Sequence, residues 1–470
     1  MTRRGKTLLA LGILAALFAA GWLALTLGGR KEPGGTDEDT GGETVVYLES
    51  DLVTFLRLEK GGETITLSRE NEELTWTAEE YPGVLIDEGK IDGILDALCP
   101  LTALRRLAEG DREAFGLGDG ATVLTAGTAE KKTTLRIGDK NPAAGGTYLS
   151  LEGEEEVFLV PTALGEAAGG KLLSFLRPDA IPRLSAAEEI EVNGIRLVFR
   201  EQGSDRVYSP EFQWFFAEEG GDSLYAGTEE VEALLDAVEK ASFREVAAAA
   251  ESGADRIAAG LREPEAVFRA AWREDGEEKT FALLFGKSFQ NEEGETLCCA
   301  MIEGSSLIGV MDAGIKETVL KTDRASLAPH TALPVDWDTV DAVEITSEGE
   351  THRIALSRET GENGEGETAE TVVFREGERT LDRERAEAFF DFLSAMKAEA
   401  TAEGGESEGD PVFSMKLIRN VTGSFREMTF ELAPYDALYL RVRFDRRELL
   451  LVSRTEGEKL LSLYREMLKE

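Results

Sequence analysis

The chain is poor in the residues that carry most protein chemistry. Its 470 residues include two histidines and three cysteines. His330 falls in a proline-bearing joint and His352 in a strand-like run. Neither begins an H-E-x-x-H, so the helical zinc-protease arrangement is excluded. A Ser-His-Asp triad needs a serine on a strained strand-to-helix turn, and we assign none. An odd cysteine count gives no disulfide framework, although a bond from Cys99 to Cys298 or Cys299 stays open. Cys298 and Cys299 sit in the apolar run "LCCAMI", and Cys99 follows core-spaced leucines; all three read as small buried hydrophobes. Basic charge is also short, with 51 Lys and Arg against 91 Asp and Glu and a net charge of −40. Such a surface repels nucleic-acid backbones and anionic headgroups, which leaves basic proteins or cations as fitting partners and excludes nucleic acid. A carboxylate pair for glycoside hydrolysis is not excluded among so many acids, but nothing singles one out.

What the chain does have begins at its N-terminus. Five basic residues precede the first acid, Glu32, and Thr7–Leu27 is an uncharged run of 21 residues. At about 1.5 Å per helical residue, that length spans a hydrocarbon layer of roughly 30 Å. The basic flank predicts a cytoplasmic N-terminus with the bulk of the chain extracytoplasmic. A cleaved signal peptide has a shorter apolar region of about 7–15 residues, so an uncleaved anchor is the expectation. The stretch 28–45, "GGRKEPGGTDEDTGGETV", reads as a flexible acidic tether. Its "DEDTGGE" lacks the glutamate that would complete a calcium loop.

Self-comparison finds one pattern three times. "KIDGILDAL" at Lys90, "EVEALLDAV" at Glu230 and "RAEAFFDFL" at Arg385 share apolar positions at helical spacing and an aspartate: Asp96, Asp236 and Asp391. These aspartates fall off the apolar stripe and read as solvated charges. Asp87, Thr228 and Asp382 stand upstream as N-cap candidates. Before each helix lies an alternating hairpin ending near Arg69, Arg200 or Arg358, read as edge charges that discourage strand pairing. After each come several more alternating runs and another amphipathic stretch. The predicted class is therefore α+β: an N-terminal transmembrane helix, then three units of antiparallel hairpin, helix, β-meander and helix. The expected divisions are 1–27 for stub and anchor, 28–45 for the tether, and 46–183, 184–335 and 336–470 for the units, with prolines at the joints.

One motif argues for a nucleotide. Gly165 to Lys171 fits G-x-x-x-x-G-K, but Leu172 stands where a phosphate loop has Ser or Thr. "GGKLLSFL" at Gly169 also aligns with "GEKLLSLY" at Gly457 and "GIKETVLK" at Gly314. The recurring Lys171, Lys316 and Lys459 then read as lysines on a surface helix laid over a sheet. No nucleotide, metal or other cofactor is assigned, and no catalytic, cofactor-binding or metal-binding residue is named. "NVT" at Asn420 is a glycosylation sequon in form only. "GENGEGETAE" and "EGGESEGD" are acidic loops.

The residues "FGLGDGATVLTAG" (115–127) and "LRIGDKNPAAGGTYLSLEGEEEVFLV" (135–160), with the anchor and the order of elements, resemble the domain-of-unknown-function 4340 family. The likeness is strongest over residues 46–183 and weaker in the later units, where "GDKNPAAGGTY" has no counterpart. The resemblance implies a bacterial protein with one membrane helix and repeated extracytoplasmic units, encoded beside gliding-motility-type ABC transporter components. It implies no reaction. The function expected is non-enzymatic: a membrane-tethered binding or scaffold protein with a protein partner, such as an ABC transporter or cell-envelope complex. The alternatives are an envelope hydrolase using a carboxylate pair and an adaptor for glycan or cations.

Overall fold

The computed structural model describes residues 42–470 apart from 71–74, 108–111, 129, 202–208, 210, 218–223, 251–252, 363–367, 403–408, 423–424, 446 and 470. The run Thr7–Leu27, residues 28–41 of the tether, half of the acidic loop 361–370 and most of the loop 403–410 lie outside the described residues.

Each hairpin forms because its alternation buries one face. Leu56 and Leu58 pack with Ile65 and Leu67, Ile190 and Val192 with Leu197, and Val343 and Ile345 with Ile354, all at most 1% exposed. Two-residue turns fix the register. Asn193 and Gly194 have φ of 49° and 77°, the left-handed pair that a type I′ turn requires.

The first strand of each hairpin then pairs on its other side with the first strand of the meander. Phe55–Lys60 pairs with Thr122–Gly127, Glu189–Val192 with Ala266–Glu274, and Val340–Ser347 with Phe413–Arg419. Hairpin and meander thereby merge into one antiparallel sheet, of eight, eight and nine strands in turn. A short strand from just after the helix closes the far edge each time: Arg105–Leu107, Glu245–Ala249 and Ala400–Thr401. Two small two-stranded sheets complete the first unit.

The amphipathic helices lie over these sheets. Ile91, Ile94, Leu95 and Leu98 of helix Glu88–Leu98 are buried, as are Val231, Leu234, Leu235 and Val238 of Thr228–Glu239. Ala386, Phe389, Phe390 and Leu393 do the same in Arg383–Ser394, whose Asp382 cap accepts the Arg385 amide. Asp87 stands at its cap position without a side-chain bond, and Thr228 is the first helical residue after Gly227.

The predicted class needs correcting. Among the described residues the chain is mostly β, with 43% strand, 22% helix and five antiparallel sheets, rather than the α+β class expected, and the expected transmembrane helix lies outside the described residues. Among the described residues no helix is long and apolar enough to cross a membrane. Strand length is the reason: Glu277–Gln290 and Glu350–Glu362 run well beyond the usual strand, while the helices are short. The first unit also lacks a closing helix over "GGKLLSFL". Its helix is Thr162–Ala168, and Leu172–Phe175 forms one 3-10 turn after Gly169 and Gly170. "GEKLLSLY", by contrast, lies within helix Arg454–Leu468.

The second and third sheets share one continuous core, and the first has its own, which takes in Val246 and Leu307 from the second. Tyr225, 1% exposed, seals the joint between the second and third. Its ring meets Phe212 and Phe444 edge-on at 5.6 and 5.7 Å. Its hydroxyl lies 3.3 and 3.4 Å from the carbonyl oxygens of Thr331 and Ala332. Tyr225→Ala should cost about 3–5 kcal/mol in urea unfolding, the loss typical of a buried aromatic. Tyr225→Phe, which keeps the ring, should cost about 1 kcal/mol; equal losses would contradict a joint held mainly by packing.

Candidate functional site

The residues singled out from sequence do not converge. Asp96, Asp236 and Asp391 are all exposed, and Asp236 pairs with Lys240 at 2.7 Å. His330 faces Glu230 at 3.2 Å in the joint. His352 lies elsewhere, between Glu376 at Nδ1 and Glu350 at Nε2, its ring edge-on to Tyr464. The three thiols are free. Cys99 packs on the first core and Cys298 in the second, where burial pushes its thiol up to about 11. Among the described residues no group of three or more His, Cys, Asp or Glu could hold a metal ion. "GESEG" at 405–409 spells G-x-S-x-G, but it falls mostly outside the described residues.

The arginines do something other than guard edges. Arg69 donates from Nε to the Val53 carbonyl at 2.8 Å and from Nη2 to Ser50 and Asp51, stapling the lead-in turn of the first sheet. Arg358 donates to the Trp337 carbonyl in the corresponding turn of the third. Arg200 donates to Phe199 at 3.4 Å. The carbonyls of Gly169 and Gly170 accept from the Lys60 ammonium; a phosphate loop presents N–H groups instead.

Nor do the three lysines share a surface role. Lys171 is exposed near Glu245, and the Lys459 ammonium lies 4.6 Å from the centre of the Phe392 ring. Lys316 is buried, its side chain only 4% exposed. Its ammonium reaches Glu265 Oε2 at 2.5 Å, the Gly286 carbonyl at 2.6 Å and Ser288 Oγ at 3.0 Å. A serine beside a buried lysine is the pairing of a Ser–Lys nucleophile. Here, though, all three ammonium donors already have acceptors, so the group acts as a staple between helix Ala313–Lys321 and strand Glu277–Gln290. The sequence did carry a signal: Ala313, Lys316 and Val319 share the buried face at three-residue spacing.

The feature that gathers chemistry is a groove of about 1030 Å³ at one end of the second sheet. The strand pairing makes it, by setting Glu188 and Glu189, the end of Ile195–Phe199 and the Ala271–Arg273 stretch side by side. Trp214 pairs with Phe199 across the ladder, their rings 5.5 Å apart and edge-on, and Trp272 adds a third aromatic wall. Helix Thr228–Glu239 forms the opposite bank, with Glu232, Asp236 and Glu239. Glu201 and Glu278 bring the groove's carboxylates to seven, against two guanidinium groups, Arg200 and Arg273. Glu189 is held by Arg196 at 2.5 and 2.7 Å, and Glu239 accepts the Leu184 amide. Among the described residues, no ion pair ties Glu188, Glu201, Glu232 or Glu278. Sequence reading missed this site because its three aromatics lie on three different strands.

Residues 76–264 match the family described as Domain of unknown function (DUF4340). The match runs from Trp76, just ahead of strand Thr77–Ala78, to just short of the second meander, and takes in the groove's lining up to Glu239 but not Ala271–Arg273 or Glu278. No curated protein and no solved structure matches the chain.

Lys316→Met should lower stability by about 2–3 kcal/mol in urea unfolding, because the Gly286 carbonyl loses its donor while Glu265, half exposed, regains water. A serine-directed fluorophosphonate should leave Ser288 unlabelled in the native protein. An adduct there would contradict the staple.

Proposed function

We propose that this chain is a non-enzymatic binding protein on the outer face of a bacterial cytoplasmic membrane, tethered by its uncharged N-terminal run and offering its sheets to a protein partner. The observation that carries this reading is the groove of the second sheet, an open concavity with aromatic walls and acidic banks. Concave sites with an apolar floor and a few placed polar groups are the usual form of a binding site. The charge supports an extracytoplasmic partner with basic segments over any polyanion. The family likeness favours, as that partner, subunits of an ABC transporter or a cell-envelope complex. Thr7–Leu27, with its basic flank, supports the tether and the orientation.

The test is crosslinking of the full-length protein in intact cells, with identification of the captured chains, beside protease treatment of whole cells. Capture of a defined set of membrane or envelope subunits, with digestion of the chain from outside, is expected. Capture of no protein, or protection of the chain until the cells are lysed, would overturn the reading.

A further inference from the structure

The three sheets provide their own comparison. In the ladder between hairpin and edge strand, three rungs correspond: the Arg69–Trp76 position just beyond the Ser68–Thr77 pair, Phe199–Trp214, and Leu356–Phe374. In the first sheet the chain's own guanidinium covers the aromatic ring, with Arg69 Cζ 4.9 Å from the centre of Trp76. In the third sheet the chain's own rings cover it: Phe390 stacks on Phe374 at 5.0 Å and 12°, and Trp337 meets Phe390 at 5.2 Å. In the second sheet Phe199 replaces the arginine, Leu235 stands where the third sheet has Phe390, and the groove opens above them.

We infer that the groove of the second sheet receives an arginine side chain from an extended segment of a protein partner, in the place that Arg69 fills in the first sheet. The inference rests on the binding reading above and names what is bound. With Glu189 held by Arg196 and Asp236 by Lys240, five carboxylates remain against the guanidinium groups of Arg200 and Arg273, an excess that attracts a cation. Phe199 and Trp272 offer faces on which a planar guanidinium can lie, a contact of about 0.5–2 kcal/mol. The carboxylates of Glu232 and Glu278 suit the bidentate fork of arginine, which a lysine ammonium cannot match.

The experiment measures binding of a fluorescent arginine–glycine peptide to the full-length protein in detergent by fluorescence anisotropy. Its lysine and citrulline counterparts serve as comparisons. The arginine peptide should bind at least about tenfold more tightly than either, as bidentate pairing and stacking together imply. Glu232→Gln with Glu278→Gln, and separately Trp272→Ala, should each weaken it about tenfold. Glu384→Gln with Glu458→Gln, which removes the same charge from the third unit, should leave it unchanged. Thermal melting would establish that each variant is folded. Equal affinity for the lysine peptide, equal loss in the third-unit control, or no binding of the arginine peptide would overturn the inference. The crosslinking test fails separately: partners still captured by the Glu232→Gln/Glu278→Gln protein would leave the binding role standing and remove the groove from it.

Discussion

The structure depends on one recurring non-local pairing, in which the first strand of each hairpin bonds to the first strand of the meander beyond the helix. Leu56 meets Ala126, Ile190 meets Ala270 and Val343 meets Leu417. Without that rung each unit would be a hairpin and a separate meander, both with exposed edges. With it, each becomes one wide sheet with a single buried face for its helix. Closing so long a loop is entropically costly and is offset only when the whole face is buried. The residues at the rung, accordingly, are among the most buried in the molecule.

The same pairing decides where chemistry can collect. It brings the lead-in segment, the outer hairpin strand and the first meander strand level at one end of each sheet. In the first and third sheets side chains of this chain occupy that end, Arg69 over Trp76 and Phe390 with Trp337 over Phe374. In the second it is left as an acidic, aromatic groove. A repeated architecture with one divergent copy is an economical way to place a site: two copies hold their ends shut while the third presents its own.

Local features were legible in the sequence. The apolar spacing of Ile91, Ile94, Leu95 and Leu98 named a buried helical face, and the alternating runs ending near Arg69, Arg200 and Arg358 named hairpins, because both depend on neighbours along the chain. Partner choice between strands is different, since alternation marks a strand without saying what lies beside it. The class was misjudged for that reason: helices and hairpins were weighed by number, while the merged sheets dominate by length. Lys316 was misplaced because lysine reads as surface unless its acceptors are known, and those come from strand Glu277–Gln290 and from Glu265, just ahead of strand Ala266–Glu274. Arg69 and Arg358 were read as edge charges because the carbonyls they hold belong to turns many residues upstream.

The proposed binding surface lies at the end of the second sheet, where the Ile190–Ala270 pairing assembles it. Amide hydrogen exchange of the full-length protein, with and without the arginine–glycine peptide, tests that placement most directly. Added protection is expected at residues 185–188, at Arg200 and Glu201, and at 273–278, with the first and third sheets unchanged. Protection spread over the three units, or confined to the first or third, would contradict it.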